Sequence, residues 1–325
     1  MARELGLFEK YGLTVELSRE LGWATIREKV IYGELEAAHA PAGMLLAAAA
    51  GLGGISVECL TGLVLNLHGN AITLSQRLWN AGVRDGATLC DYVRSRSRPV
   101  TLGTVYQWSS HTVLLRLWLK SHGLDAEADA RVVVVPPSQT VSHLRAGHLD
   151  GFCVGEPWNS LAVMSRAGWV VARSAELAPQ HPEKVLMVRT DFAERNDGQY
   201  LALIAALLEA ARFCDEPANR EKVAEALARP GCVGANAAAI LQSMRAVYDY
   251  GNGRVEPCPG FNIFARDNAS EPDERKAVWV ARSLVSSGLA TAGQLPAGMC
   301  VKCFRPDIFA RAAALVKPDR ISSAA

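Results

Sequence analysis

Glycine, glutamate and proline stand side by side near the end of Gly151-Phe-Cys-Val-Gly-Glu-Pro-Trp-Asn159, and together they have the chemistry of a binding corner. Phe152 to Val154 reads as an apolar strand. Gly155 lets another group come close to the backbone, and Pro157 forbids the strand to continue. Open α/β sheets place their ligands at such strand ends. Many strands end in Gly-x-Pro for structural reasons alone, so the corner by itself leaves both readings open. Glu156 reads as a brace of the loop, with general-base chemistry as the competing role. Other reactive patterns are missing: there is no GxxxxGK phosphate loop, no HExxH and no GxSxG elbow. Cys300-Val-Lys-Cys303 is the one CxxC, with no second CxxC or histidine pair beside it, so no metal or redox centre is assigned there.

The elements that must carry the corner follow from periodicity and turn residues. Ala2 to Tyr11 reads as the end of an amphipathic helix capped by Gly12, and Leu13 to Leu17 as a strand. A parallel βαβ order needs a strand before that helix, so the start is expected to lie upstream; the lack of a basic-apolar leader then says little about export. Gly33 to Ala40 reads as a turn and short buried strand, Pro41 to Gly51 as a helix, and Ile55 to Leu67 as a long strand-like run. His68-Gly-Asn-Ala71 is the expected crossing into a second domain. That domain should hold helices over 74–80, 90–96, 110–122 and 138–145, and strands over 99–103, 131–135 and 151–154. Arg131 to Val135 is β-branched without polar alternation, which predicts a central parallel strand covered on both faces. The chain is expected to return through Val185 to Val188 into helices over 197–214, 220–228, 235–250, 271–286 and 307–315.

Composition bounds the rest. At 325 residues two domains are the better expectation, and 34 basic against 33 acidic side chains exclude nucleic acid or an anionic membrane as the main partner. Apolar runs such as Met44 to Ala50 stop well short of the roughly 20 residues that span a bilayer. The eight cysteines are scattered, several in apolar stretches, which reads as buried reduced thiols and leans towards the cytoplasm.

Asp150-Gly-Phe-Cys-Val-Gly-Glu-Pro-Trp-Asn-Ser160 resembles the signature of the nitrate- and bicarbonate-binding proteins of cyanobacterial ABC transporters. It is similar above all to their proteobacterial relatives, which include the cytoplasmic nitrate/nitrite sensor NasS, and the likeness runs from about Glu4 to about Phe309. The resemblance implies an α/β, bilobed, periplasmic-binding-protein-like fold of the type II, Venus-flytrap kind, here apparently without its first strand. Lobe 1 would be 1–70 plus 186–325 and lobe 2 71–185, with two crossing strands as hinge and the ligand between them.

Carried over residue by residue, the resemblance implies that Trp23, Asn70, His111, Gly155 and Lys184 touch the ligand, with His39 and Glu156 behind them. Trp23 would wall the anion. Asn70 stands where the nitrate binders have glutamine, one methylene longer, and its amide would donate to an oxygen. His111 lies at the start of a helix, where free N–H groups favour anions. Gly155 would offer its backbone N–H. Lys184 would supply the cation, which suits nitrate or nitrite; bicarbonate carries an O–H that wants an acceptor. Arg27 and Arg116 lie on helices and read as structural or solvated.

A binding protein without catalytic activity, cofactor or metal is therefore expected. The favoured role is a cytoplasmic nitrate/nitrite sensor that holds a NasT-like, ANTAR-type RNA-binding antiterminator of nitrate assimilation. The alternative is the solute-binding component of a nitrate or bicarbonate ABC transporter, periplasmic and with a permease as partner. A thiamine-pyrimidine-synthase-like enzyme is the remote third, lacking its clustered cysteines here.

Overall fold

The computed structural model describes residues 1–96 and 98–316. Leu7–Lys10 (α1) and Trp23–Ile31 (α2) lead to Ala37–Pro41 (β1) and Ala42–Ala49 (α3), then to Cys59–Leu60 (β2) and Val64–His68 (β3). Gly69, at φ 84, turns the chain straight into Asn70–Ser75 (β4). There follow Gln76–Asn80 (α4), Gly86–Arg96 (α5), Val100–Thr104 (β5), Ser110–Ser121 (α6), Ala130–Val134 (β6), Thr140–Arg145 (α7), Gly151–Gly155 (β7), Trp158–Met164 (α8), Gly168–Arg173 (β8) and Ser174–Leu177 (α9). The return strand is Pro182–Arg189 (β9). The tail comprises Thr190–Arg195 (α10), Asp197–Asp215 (α11), Arg220–Ala228 (α12), Ala237–Ser243 (α13), the hairpin Val247–Gly251 (β10) and Arg254–Pro257 (β11), Asn262–Ile263 (β12), Glu274–Ser286 (α14), Ala297–Cys303 (α15) and Pro306–Ala313 (α16).

Two five-stranded sheets organise these elements, as the expected bilobed α/β fold requires. One runs β1-β9-β3-β12 with β2 also on β9; the other runs β6-β5-β7-β4-β8. In the second, β5 is parallel to β6 and β7, while β4 lies antiparallel between β7 and β8. We take the two sheets as the cores of the two expected lobes. β9 pairs with β1 and β3 from its first residues, so it goes whole with the first sheet and the return crossing precedes Pro182 instead of falling at 185/186. Positions 317–325 of the expected first lobe lie outside the described residues.

Local chemistry accounts for the elements at the crossing. Ser109 caps α6, its hydroxyl accepting the Thr112 N–H at 3.3 Å. Helix α3 (Ala-Gly-Met-Leu-Leu-Ala-Ala-Ala) is apolar all round and buried almost throughout, sealed between β9, α14 and α15. Gly43 on it lies so near the loop before α6 that a Cβ would stand 2.2 Å from the Trp108 carbonyl oxygen. Backbone on both sides cannot yield, so Gly43→Ala is expected to cost about 1–3 kcal/mol by overpacking and to lower the Tm in calorimetry. An unchanged Tm would mean that α3 slides freely there.

Five expectations about elements are corrected. Leu13 to Leu17 is no strand, because nothing pairs with it; Leu13 and Val15 instead join the apolar cluster at α1 and α11. Ile55 to Leu67 breaks into β2 and β3 around Thr61-Gly62-Leu63, and Asn70 to Ser75, taken as a crossing and the start of a helix, is the wholly buried strand β4. Arg131 to Val135 lies at a sheet edge, with Val134 64% exposed: β-branching fits any strand, and topology decides which is central. The helix expected over 235–250 stops at Ser243. Tyr248 and Tyr250 then alternate inward on a hairpin whose turn uses Gly251, Asn252 and Gly253 at positive φ.

All eight cysteines are free, six of them buried. Among the described residues no helix is long and apolar enough to cross a membrane, and no group of three or more His, Cys, Asp or Glu is placed to hold a metal.

Candidate functional site

Strand ends from both sheets meet at one cleft. In the second sheet Gly155, last in β7, is paired with Asn70, first in β4. In the first sheet β9 opens with Pro182, Glu183 and Lys184, and α6 brings Ser110 and His111 by its N-terminus. A cavity of about 350 Å³ lies between them, bordered by Trp23, Asn70, His111, Gly155, Glu183 and Lys184. His39 and Glu156 border it too, and Leu227, Ile240, Met244 and Phe264 of the tail supply apolar wall. All seven residues singled out in the sequence thus surround one space. Arg27, buried, bonds Glu28 and the Leu52 carbonyl, and Arg116 bonds Glu127 and the Ser287 carbonyl; both are structural, as read.

The sequence reading missed Glu183. This carboxylate is only 2% exposed, yet it gathers donors from both sheets. It accepts the Asn70 amide at 2.8 Å, the Ser110 hydroxyl and the Lys184 ammonium, and His111 Nε2 lies 3.4 Å from its Oε1. Neighbours on a strand ordinarily point to opposite faces. Here the β3 register steps from Asn66 opposite Lys184 to Leu67 opposite Pro182, which leaves Glu183 unpaired in a bulge and brings both charges to the cleft. Burial alone would raise the Glu183 carboxyl; the Lys184 ammonium, helped by His111 and His181, outweighs it and holds the carboxyl at about 2.

The histidines are neutral. Burial pushes His111 down to about 3, with the attraction of Glu183 opposed by Lys184 and His181. His39 is open to the cleft's solvent but set deep in protein; that desolvation, and then Lys184, push it down to about 4. Lys184, 7% exposed, has its Nζ 5.2 Å from the centroid of the half-buried Trp23 ring, which in turn lies tilted by 46° against His39, centroids 5.7 Å apart. Glu156 braces the corner as expected. It accepts the Tyr248 hydroxyl at 2.6 Å and the Ser160 N–H at 3.1 Å, and burial of its carboxyl lifts it to about 7.

Among the described residues that border the cleft, three buried polar atoms have no partner: Asn70 Oδ1, His111 Nδ1 and His111 Nε2, the last 3.4 Å from Glu183. Unsatisfied buried groups are costly, so such a cluster marks where something else binds. Two of the three aim at one place: a Cβ on Gly155 would stand 3.5 Å from Asn70 Oδ1 and 3.7 Å from His111 Nε2. The Asn70 amide was expected to donate to a ligand. It is committed to Glu183 instead, because its oxygen cannot face a carboxylate, and the oxygen is what it turns towards Gly155.

The profile of the NMT1-like family matches residues 1–228. The chain is 36% identical over 316 residues to the nitrate import ATP-binding protein NrtC of Synechocystis sp., covering 96% of this chain and 47% of that one. It is 37% identical over 230 residues to the bicarbonate transport ATP-binding protein CmpC of Synechococcus elongatus, covering 70% and 35%. It thus spans half or less of the length of these curated relatives. The crystal structure of the periplasmic nitrate-binding protein NrtA from Synechocystis PCC 6803 superposes with a TM-score of 0.91 at 26% identity, over 98% of this chain and 85% of that one.

Proposed function

The chain belongs to the NMT1-like family, and on that premise we propose that it binds a small planar oxyanion, nitrate or nitrite, in the cleft as the solute-recognition part of an ABC import system. One observation carries the reading: a buried ammonium borders the cleft in which two unpartnered buried polar atoms, Asn70 Oδ1 and His111 Nε2, both face Gly155. Trp23 gives that space a flat wall, and the α6 N-terminus adds free N–H groups. Binding, not catalysis, fits a site whose two carboxylates are both committed, Glu156 to Tyr248 and Ser160 and Glu183 to Asn70, Ser110 and Lys184.

Import with a permease partner, outside the cytoplasm, takes precedence over the expected cytoplasmic sensor and its antiterminator. The relatives are named for import and transport, and the structure that superposes so well is of a periplasmic protein. A second ligand, bicarbonate, is favoured by one observation. Asn70 turns an acceptor oxygen towards Gly155, where the O–H of bicarbonate would have a partner and nitrate has no hydrogen to offer.

Gly155→Ala tests the site without disturbing its charges. The added methyl meets its neighbours only at ordinary contact distance, so the fold tolerates it, but it fills the space that the orphan atoms face. In calorimetric titrations nitrate or nitrite is expected to bind the native chain, and the variant to keep its Tm while losing affinity at least tenfold. Binding of bicarbonate alone would establish the second ligand in place of the first. If none of the three anions binds, or if the variant binds as the native chain does, the reading fails.

A further inference from the structure

Lys184 is the only lysine or arginine among the described residues bordering the cleft, and it is spent on Glu183. The site that is to take an anion therefore has no net positive charge in its free state. Placing a bare anion there leaves one negative charge uncompensated in a space walled by buried side chains, which is strongly unfavourable. The deficit is one unit, and one group stands ready to supply it. His111 has both ring nitrogens without hydrogen-bond partners, and its Nε2 lies 3.4 Å from Glu183 on one side and looks at the Gly155 space on the other.

We propose that Glu183 and Lys184 set the cleft's charge to zero, so that an oxyanion enters together with one proton, which His111 takes on Nε2. The step forms a single N–H bond: the ring nitrogen's lone pair accepts a proton from solvent, and no other bond changes. Protonated, that nitrogen donates between the Glu183 carboxylate and the anion, which satisfies the orphan atom and neutralises the ligand at once.

The surroundings explain why His111 waits for the anion. It occupies the second position of α6, where the helix N-terminus disfavours a cation. Facing it are Glu183 and Lys184 of β9 and His181 just before that strand, with His39 of β1 and Glu156 at the end of β7 around the same cleft. Glu183 alone favours the imidazolium; Lys184 and His181 oppose it, and burial keeps the free ring neutral, with a pKa of about 3. An anion at about 3 Å supplies the missing attraction and brings that value into the neutral range.

The inference rests on oxyanion binding as proposed above, and proton counting separates the two. Nitrate or nitrite is titrated into the whole chain at pH 6.5 in buffers of different ionisation enthalpy, which gives the protons taken up per anion. Uptake close to one is expected, with affinity falling about tenfold per pH unit as pH rises through the range of full uptake, since the bound state holds the extra proton. His111→Gln should weaken binding and bring uptake near zero. Glu183→Gln leaves Lys184 uncancelled, so uptake should also vanish while affinity at pH 8 exceeds that of the native chain. Glu156→Gln should keep the uptake. Tight binding without uptake in the native chain overturns the inference and leaves the binding reading standing. Uptake lost in Glu156→Gln and kept in His111→Gln overturns the assignment to His111. Absence of any binding counts against the function itself.

Discussion

Lys184→Met is expected to abolish measurable oxyanion binding and also to destabilise the folded chain by about 3–5 kcal/mol, the cost of removing one member of a buried ion pair. Two effects add. The ligand loses the cleft's only lysine or arginine among the described residues, and Glu183 is left among Asn70, Ser110 and His111 with no full positive charge beside it. Burial, the term that Lys184 overcomes, then acts on the carboxyl almost unopposed, so Glu183 should take up a proton near neutral pH. The double variant Glu183→Gln with Lys184→Met separates the effects. Neutral groups of similar shape replace both charges, so most of the stability should return while binding does not. Urea unfolding and anion titration of the two variants and the native chain measure this. A single variant as stable as the native chain would mean that Glu183 finds water or another cation in place of Lys184.

What could be read from the sequence here was the strand-end chemistry; what could not be read was geometry that depends on register. Gly155-Glu-Pro announced a corner because glycine and proline have local meanings that survive any tertiary context, and α6 was legible as the helix expected over 110–122. Glu183 carried no such signal. In Pro-Glu-Lys-Val a regular strand would place Glu183 and Lys184 on opposite faces; only a bulge against β3 lets both arrive at the cleft. The partner of Asn70 was hidden for a similar reason. In the expected crossing His68 to Ala71 it begins a central strand, and its amide is claimed by a carboxylate 113 positions further on. The tail was misread where a run of alanines made Ala235 to Tyr250 look uniformly helical. Met244 to Ala246 ends that helix, and Gly-Asn-Gly turns a hairpin whose Tyr248 then braces Glu156. Long-range pairing, not propensity, decided each of these positions.

Mild acid is expected to unfold the ligand-free chain well before its carboxylates are exhausted. His111, 2% exposed, His181, fully buried with its Nε2 unpartnered, and His39 at the cleft stay neutral in the fold with pKa values of about 3, 4 and 4; burial is the main cause in all three. All three values lie below the unfolded value of about 6.5, so the stabilisation is complete above pH 6.5 and is lost as pH falls towards them. Glu156 works against this. Its carboxyl, raised to about 7 by burial, holds a proton in the fold that the unfolded chain releases above about pH 4.5, so its contribution grows as pH falls through that window. Three histidines against one carboxyl leave two protons of difference, or about 2.7 kcal/mol lost per pH unit between 6.5 and 4.5. Below that window Glu156 no longer compensates and Glu183, held at about 2, adds its own loss. Tm measured against pH tests the sum, and Glu156→Gln tests its parts. Without the opposing carboxyl the slope should rise by about half, and a flat Tm in that variant would contradict neutral burial of the three histidines. A bound oxyanion changes the same count. If it charges His111 in the fold, one histidine drops out of the balance, two remain against Glu156, and with saturating nitrate the slope of stability against pH between 6.5 and 4.5 should fall to about half.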